Sequence, residues 1–185
     1  MINTIELEAY INSPDAKKFK GTAAIFIPID NEWGVKLFPC ESRRNLSYTS
    51  NVKMYKKGLA PLYGPKVSLV YEEKRYYGYL MELVSCADQA ALAHFGKEHN
   101  GMCANTHDSE LDYWEYCACS SYKNFIKEDE MWGDAWFDLL ARTESAGLSY
   151  RDSHAGNWGI TKEGESVWID FDKSLVGLSK SPSLA

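Results

Sequence analysis

A polar run from Ser149 to Asn157 constrains what this chain can fold into more than any other part of its sequence. Asp170 follows Asn157 by thirteen residues, and two short β-like runs around a turn at Glu163 and Gly164 fill the interval. In such a hairpin, the start of the first strand lies beside the end of the second strand. We therefore predict a β-hairpin flanked by loop ends that carry polar side chains.

The side chains on these loop ends are suited to binding a metal. Asp152, Asn157 and Asp170 offer carboxylate and amide oxygens, and Mg²⁺ takes a few such protein ligands while it keeps some of its waters. Phosphoryl transfer needs Mg²⁺ to neutralise charge on the phosphates and a carboxylate to orient the attacking hydroxyl. The pattern is thus typical of phosphoryl-transfer chemistry.

The same residues resemble the catalytic centre of the protein-kinase-like superfamily. Tyr150-Arg151-Asp152, with Asn157 five residues after the aspartate, is similar to the kinase His-Arg-Asp loop, and Asp170 lies at the spacing of the Asp-Phe-Gly aspartate. The resemblance implies that Asp152 orients or deprotonates the acceptor hydroxyl. It also implies that Asn157 and Asp170 hold Mg²⁺.

Two positions distinguish this loop from that of typical eukaryotic kinases. His154 stands where many of those kinases have lysine, and Asp172 replaces the glycine of Asp-Phe-Gly. In both respects the sequence is similar to the aminoglycoside and choline phosphotransferases. The resemblance implies that His154 braces the catalytic loop through hydrogen bonds and that Arg151 forms a structural ion pair.

The first half of the chain resembles the nucleotide-binding half of the same family. Lys36, in the run Gly34-Val35-Lys36-Leu37, is similar to the lysine of the Val-Ala-Ile-Lys strand, which contacts the α and β phosphates. A single glycine takes the place of the glycine-rich phosphate loop. The implied nucleotide contacts are Gly21 and Thr22 near the phosphates, Met81 as gatekeeper, and main-chain groups near Glu82 and Val84 at the adenine edge.

The helix glutamate that pairs with the strand lysine in kinases has no clear counterpart. The family spacing leads to Asn51, and the helix predicted from Glu41 to Lys57 contains no acidic residue after Glu41. Either Glu41 takes the role from the start of the helix or the pairing is absent. The second alternative favours a pseudokinase, which binds a partner without transferring phosphate.

We predict an α+β fold, a minimal two-lobed protein-kinase-like arrangement. Residues 1–84 form a small antiparallel sheet lobe with one helix, and residues 85–185 form a truncated, mostly helical lobe with the catalytic loop and the metal-binding hairpin. The predicted strands of the first lobe are 23–29, 34–38, 66–71 and 76–84, and the predicted helices of the second are 109–123 and 129–147.

The charge balance argues against nucleic acid as a partner. Lys and Arg total 20 and Asp and Glu total 26, so the net charge of −6 gives no dominant cationic field to hold a phosphate backbone. No apolar run fits a signal peptide or a membrane span, and the five irregularly spaced cysteines indicate reduced thiols. We expect a monomer, without membrane contact, in the cytoplasm of its own cell or secreted into that of a host.

The short stretch of chain after Asp172 bears on the acceptor. Thirteen residues follow it, too few for the helices that shape the acceptor pocket of antibiotic and choline phosphotransferases. We therefore expect an open acceptor site and an ATP- and Mg²⁺-dependent Ser/Thr protein kinase, with a small-molecule phosphotransferase as the alternative. The chain also resembles the minimal kinases of phages and bacterial virulence effectors, including the HopBF type, and this resemblance implies a host heat-shock chaperone as the protein substrate.

Overall fold

The structure of the protein is a computed structural model that describes residues 3–21, 23–87, 90, 129–150, 155–170 and 175–177. The chain divides into two compact units, Met1–Leu83 and Val84–Ala185. The predicted α+β class is confirmed, because an antiparallel five-stranded sheet is combined with helices. Among the residues described, no helix has both the length and the apolar character that a bilayer crossing requires.

The first unit is built on an antiparallel sheet in the strand order β1-β2-β3-β5-β4. Its strands are β1 (Phe19–Lys20), β2 (Ile25–Pro28), β3 (Trp33–Phe38), β4 (Tyr63–Tyr71) and β5 (Lys74–Glu82). The two predicted hairpins, β2–β3 and β4–β5, are confirmed, and β3 lies at the centre between β2 and β5. The hydrophobic pattern did not predict the two-residue strand β1.

A helix at the start of the chain, α1 (Thr4–Asn12), packs against this sheet. The hydrophobic pattern did not predict it. Leu7 and Ile11, four residues apart on one side of the helix, are buried. The core that they join consists of Leu7, Ile11, Ala16, Ile27, Val35, Leu37, Leu69 and Tyr71.

A second helix, α2 (Glu41–Tyr55), follows β3 and packs on β3 and β5. The helix predicted over Glu41–Lys57 is thus confirmed, with its end two residues earlier. Gly58 follows with a φ of 68°, a conformation that glycine adopts without strain. From β2 to β5, the order of two strands, a helix and two strands therefore agrees with the sequence prediction.

The two faces of the sheet differ because alternation along β3 sends neighbouring side chains to opposite sides. Val35 and Leu37 are fully buried in the core that includes α1, so Lys36 between them points to the other face. That face is covered by α2, because Ser47 is hydrogen-bonded to the hydroxyl of Tyr79 at 3.1 Å and Tyr79 lies directly opposite Lys36. Each face of the sheet therefore packs against its own helix.

The β4–β5 hairpin turns through two glutamates in the left-handed region. Glu72 and Glu73 have φ values of 48° and 62°. The predicted strands 66–71 and 76–84 leave a four-residue turn from Glu72 to Arg75, but the turn has only two residues, because β5 already begins at Lys74. Asn12 of α1 holds the turn in place, since its side-chain oxygen accepts a hydrogen bond from the Glu72 amide at 2.9 Å.

The second unit contains helix α3 (Glu130–Ser145), which confirms the helix predicted there. Asp129 caps it by accepting a hydrogen bond from the Trp132 amide at 3.2 Å, and Gly147 follows with a φ of 72°. The strands of this unit are β6 (Ser85–Cys86), β7 (Leu148–Tyr150), β8 (Trp158–Ile160), β9 (Ser166–Trp168) and β10 (Leu175–Gly177). The hairpin predicted around Gly164 is β8–β9.

Tryptophans form the core of the described part of this unit. Trp136, Trp158 and Trp168 are fully buried. The ring centre of Trp136, on α3, lies 5.2 Å from that of Trp158 and 5.8 Å from that of Trp168. Helix α3 thereby holds both strands of the hairpin.

Strand β7, which pairs with β10, extends through Ser149 and Tyr150 into the polar run that was predicted to be a loop. A short 3-10 helix, Ala155–Asn157, ends the same run. The helix predicted at 109–123 lies outside the described residues.

Candidate functional site

Lys36 occupies the centre of the sheet in the first unit. It lies between Phe26 of β2 and Tyr79 of β5 in the cross-strand register. Only 6% of Lys36 is exposed, although an ammonium group is normally kept in water. Its Nζ lies 5.9 Å from the centre of the Phe38 ring, two residues along the same face. The predicted phosphate-binding lysine is therefore buried among aromatic side chains.

Gly34, two residues before Lys36, lets an aromatic ring pack onto the same face. A Cβ built on Gly34 would lie 2.3 Å from the Phe26 ring, so only glycine permits this contact. Met81, the predicted gatekeeper, lies directly opposite Gly34 on β5 and is 4% exposed. Met81 thus shares the face of Lys36.

Helix α2 presents polar side chains to this face. Arg44, Ser47 and Asn51 are all buried. The Ser47 hydroxyl is hydrogen-bonded to Tyr79, but neither polar atom of the Asn51 side chain has a hydrogen-bond partner, and Arg44 Nε has none either. Because buried polar groups are nearly always hydrogen-bonded, Asn51 is an exception that needs an explanation.

Glu41 lies at the exposed start of α2 and pairs with Arg44. Its Oε1 is 2.5 Å from the Arg44 guanidinium, and 59% of the Glu41 side chain is exposed. In α2, which the structure describes in full, the buried residues are Arg44, Ser47, Asn51 and Met54. The buried side of this helix therefore carries no carboxylate.

The turn between β1 and β2 contains the glycine predicted to approach phosphate. Gly21 is exposed, and its amide donates a hydrogen bond to the Ala24 carbonyl at 2.9 Å. Thr22 lies outside the described residues. The Gly21 amide is thus engaged within the turn, and phosphate contact by these two residues stays a prediction.

The predicted adenine contacts lie where β5 ends. Glu82 and Leu62 are joined by two hydrogen bonds of 2.9 Å each. The Glu82 amide donates to the Leu62 carbonyl, and the Glu82 carboxylate accepts from the Leu62 amide. The Leu83 amide donates to the Glu32 carbonyl at 2.7 Å. Two amides of this segment are therefore already engaged, and a role for the half-buried Val84 stays a prediction.

In the second unit, the β8–β9 hairpin holds Asn157 beside the residue that precedes Asp170. Trp158 pairs with Trp168, and beyond this pair the Ile169 amide donates to the Asn157 carbonyl at 2.8 Å. Asn157 is 6% exposed, and Asp170 is half-buried. Both predicted metal ligands therefore lie at the same end of one hairpin.

Glycines set the geometry of this hairpin. Gly164 turns the chain with a φ of 89°, and its amide donates to the Thr161 carbonyl at 3.0 Å. Gly159 allows β6 to approach β8 closely, because a Cβ built on it would lie 2.4 Å from the Ser85 carbonyl oxygen. Gly164 thus permits the turn that pairs β8 with β9, and Gly159 permits the close approach of β6 on the other side of β8.

The predicted catalytic residues Arg151, Asp152 and His154 lie outside the described residues. The chain is described on either side of them, where β7 ends at Tyr150 and the 3-10 helix begins at Ala155. Their roles stay predictions.

Two residues at the hairpin end, Asn157 and Asp170, were predicted to hold a magnesium ion. Asn157 and Asp170 offer amide and carboxylate oxygens, the hard ligands that Mg²⁺ prefers. Within the described ranges, no group of three or more His, Cys, Asp or Glu side chains is placed to hold a metal. A site with two protein ligands and several waters is the kind that Mg²⁺ commonly occupies beside phosphates.

Two residues of the Lys36 face were not singled out from the sequence. Tyr79 was predicted only as part of a strand, and its partner Ser47 as part of a helix. Their contact joins residues 32 positions apart, so no local pattern indicates it. Strand alternation alone could have placed Tyr79 on the side of Met81.

The structure of this chain is similar to solved structures of proteins described as kinases. One WbdD structure has a TM-score of 0.46 and 13% identity, covering 90% of this chain and 34% of that chain. A second, described as the bifunctional kinase-methyltransferase WbdD, has a TM-score of 0.44 and 14% identity, covering 86% and 31%. The Helicobacter pylori proinflammatory kinase CtkA has a TM-score of 0.41 and 16% identity, covering 91% and 58%.

The chain thus spans about a third of the WbdD chains and 58% of CtkA. These likenesses concern the fold alone, and with TM-scores below 0.5 they assign no chemistry to this chain. No protein-family model and no curated protein matches it.

Proposed function

We propose that this protein is an ATP- and Mg²⁺-dependent phosphotransferase, a minimal Ser/Thr protein kinase. The observation that carries the proposal is the hydrogen bond from the Ile169 amide to the Asn157 carbonyl, because it holds Asn157 and Asp170 at one hairpin end. Oxygen ligands on neighbouring chain segments are what a magnesium-bound triphosphate requires. The buried Lys36 in the first unit supports the same chemistry.

Each residue has a distinct task in this proposal. The Lys36 ammonium binds the α and β phosphates, and Asp152 orients the acceptor hydroxyl and takes its proton. Asn157 and Asp170 hold Mg²⁺, which when bound supplies positive charge that neutralises the phosphates. Arg151 and His154 brace the loop that carries Asp152.

The nucleotide contacts in this proposal extend from the sheet to the segment after β5. Gly21 and Thr22 approach the phosphates, and Met81 borders the base. The amides of Glu82 and Leu83 already donate to other main-chain groups, and we assign the adenine edge to main-chain groups near Glu82 and Val84.

The proposed acceptor is a serine or threonine hydroxyl on a protein. The resemblance to the HopBF-type effectors supports a heat-shock chaperone of a host cell as the substrate, with the protein acting in that cell's cytoplasm. The proposed partners include neither nucleic acid nor membrane, and the protein acts as a monomer.

Labelled ATP tests the proposal directly. The protein is incubated with labelled ATP, Mg²⁺ and either a bacterial or a eukaryotic lysate, beside Asp170→Asn and a matched control, Asp134→Asn, at an exposed position of α3. We expect the wild type and the control to label a protein on serine or threonine, and Asp170→Asn to lose about a hundredfold in rate. Label confined to small molecules would instead indicate a small-molecule phosphotransferase.

A second candidate is a pseudokinase that binds nucleotide or a partner without transfer. The absence of a carboxylate on the buried side of α2 favours it, as does the pairing of Glu41 with Arg44. A rise in melting temperature with Mg²⁺-ATP, without label transfer to any acceptor, would favour this candidate over the first.

A further inference from the structure

Helix α3 is joined to β9 by side-chain hydrogen bonds as well as by tryptophan packing. At the start of the strand, the Arg142 guanidinium donates to Ser166 Oγ at 2.8 Å and to the Ser166 carbonyl. Arg142 Nε also donates to Asp138 at 2.7 Å, and Ser166 Oγ donates to the same carboxylate at 3.2 Å. This network is partly exposed, so its contribution to stability is moderate.

The second connection, at the end of β9, is fully buried. The Trp168 indole N–H donates to Thr143 Oγ1 at 2.8 Å, and the Thr143 hydroxyl donates to the Leu139 carbonyl at 2.7 Å. Trp168 is fully buried, and Thr143 is 3% exposed. Since the single hydroxyl proton of Thr143 is used on Leu139, its oxygen can only accept, which suits an indole that can only donate.

This buried bond lies two residues before Asp170. The next residue, Ile169, is fixed from the other side, because its amide donates to the Asn157 carbonyl at 2.8 Å. The backbone that leads into Asp170 is therefore held by α3 at Trp168 and by the end of the 3-10 helix at Ile169.

We propose that Thr143 is a positioning residue for Asp170, which it holds through Trp168 at a fixed distance from Asn157. The inference rests on the proposed function, since it assigns Asp170 and Asn157 to one magnesium site. Groups that orient metal ligands from behind commonly change metal affinity by 10–100-fold when they are removed. Thr143 touches neither the proposed metal nor the nucleotide, so its effect is transmitted by the indole.

Substitution of Thr143 separates positioning from simple stabilisation. Thr143→Val keeps the shape of the side chain but leaves the buried indole N–H without an acceptor, whereas Thr143→Ser keeps the hydroxyl. Leu139→Val, in the same helix and fully buried, is the matched control, since it destabilises the core but retains the Leu139 carbonyl. All are compared well below their melting temperatures.

Two readouts are expected to move together. In Thr143→Val, the Mg²⁺ concentration for half-maximal phosphate transfer rises about tenfold with a smaller change in kcat, and the Ile169 amide of the free protein exchanges faster with solvent. Thr143→Ser restores both to within about threefold of the wild type, and Leu139→Val leaves the Mg²⁺ dependence unchanged.

The inference is overturned if Thr143→Val and Leu139→Val have the same Mg²⁺ dependence or if exchange at Ile169 is unaffected by Thr143→Val. Amide exchange needs no activity, so a wild type that transfers no phosphate sinks the proposed function while exchange still tests the link from Thr143 to Ile169. If Thr143→Val does not fold, Trp168→Phe removes the same bond from the donor side and is expected to raise the Mg²⁺ requirement in the same way.

Discussion

Asn51 shows that the buried side of α2 is not arranged for stability alone. The side chain is fully buried, yet its amide nitrogen and its oxygen have no hydrogen-bond partner. One helical turn earlier, Ser47 meets the same face of the sheet with a satisfied hydroxyl. An unsatisfied buried amide costs free energy, so an apolar residue at position 51 would stabilise the chain better than asparagine does.

Substitutions at positions 51 and 47 are therefore expected to have opposite signs. Asn51→Leu keeps the branched shape and should raise the free energy of unfolding by about 1–2 kcal/mol, because no buried amide remains. Ser47→Ala should lower it by about 1 kcal/mol, since the buried Tyr79 hydroxyl loses its partner. Urea unfolding of the two variants measures both values. A loss of stability in both would show that Asn51 contributes to the fold.

Tyr71 is the residue for which the structure predicts a dependence on pH. Burial, and after it the hydrogen bond from the Tyr71 hydroxyl to the Glu72 carboxylate at 2.6 Å, raises the pKa of Tyr71 to about 12. An unfolded tyrosine loses its proton near pH 10. Between about pH 10 and 12 the unfolded chain therefore binds fewer protons at this residue than the folded chain, and stability falls as pH rises.

Tyr71→Phe should remove this part of the alkaline loss. Below pH 10 the contribution of Tyr71 is complete in the wild type, and above it the free energy of unfolding should decrease more steeply in the wild type than in Tyr71→Phe. Because burial is the larger cause, Glu72→Gln should keep most of the slope. Guanidinium unfolding at pH 9, 10 and 11 gives the three slopes, and equal slopes for wild type and Tyr71→Phe would contradict the expectation.

At the scale of elements, the segments with regular periodicity were predictable and the short or mixed ones were not. Helix α3 and the β2–β3 and β8–β9 hairpins follow from apolar spacing and turn residues. Helix α1 was not predicted because its apolar residues do not share one side. Leu7 and Ile11 are buried, but Ile5 is 74% exposed. The predicted turn from Glu72 to Arg75 contains the observed one but is two residues too long, because β5 already begins at Lys74.

The residues of the candidate site also differ in how far the sequence predicts their positions. Asp170 and Asn157 could be placed at one hairpin end because the pairing between them is local in sequence. The burial of Lys36 could not be predicted, since it depends on packing across strands and against α2. Bonds such as that from Trp168 to Thr143 join residues 25 positions apart, and only the folded chain reveals them.

A substitution at Gly159 of β8 tests how closely β6 and β8 pack against each other. A Cβ at position 159 would lie 2.4 Å from the Ser85 carbonyl oxygen and 3.1 Å from the Cys86 Cα, both backbone atoms that cannot move without breaking the β6–β8 pairing. Gly159→Ala should therefore lower the free energy of unfolding by about 2–3 kcal/mol. Ser85→Ala, which leaves the backbone oxygen in place at an exposed position, should have little effect. Thermal unfolding of both variants decides the point, and a stable Gly159→Ala would contradict the close packing.

At the scale of the whole molecule, the first unit has a hydrophobic core of its own. The buried residues of this core, among them Leu7, Val35 and Tyr71, all lie within the first 71 positions. Helix α1 packs on one face of the sheet and α2 on the other, while Lys66, Ser68 and Val70 of β4 stay exposed. A region with its own hydrophobic core and a helix packed on each face of its sheet has what independent folding requires.

A fragment of residues 1–83 should therefore fold alone. We expect a cooperative thermal transition for this fragment, and loss of the transition in a fragment of residues 17–83, which lacks α1 and exposes the apolar face of the sheet. Leu37→Ala in the longer fragment should abolish or strongly lower the transition, because Leu37 is fully buried. Circular dichroism during heating measures all three, and a non-cooperative profile for residues 1–83 would show that the unit depends on the rest of the chain.

The alternation along β3 has a consequence for how the gene can diverge. Since Lys36 faces α2 while Val35 and Leu37 face α1, one codon gained or lost between Trp33 and Lys36 would turn the lysine into the apolar core. Point substitutions in β3 alter one side chain at a time, but a change in its length inverts every side chain beyond it. Related sequences should therefore align through this strand without gaps, even where they share few identical residues.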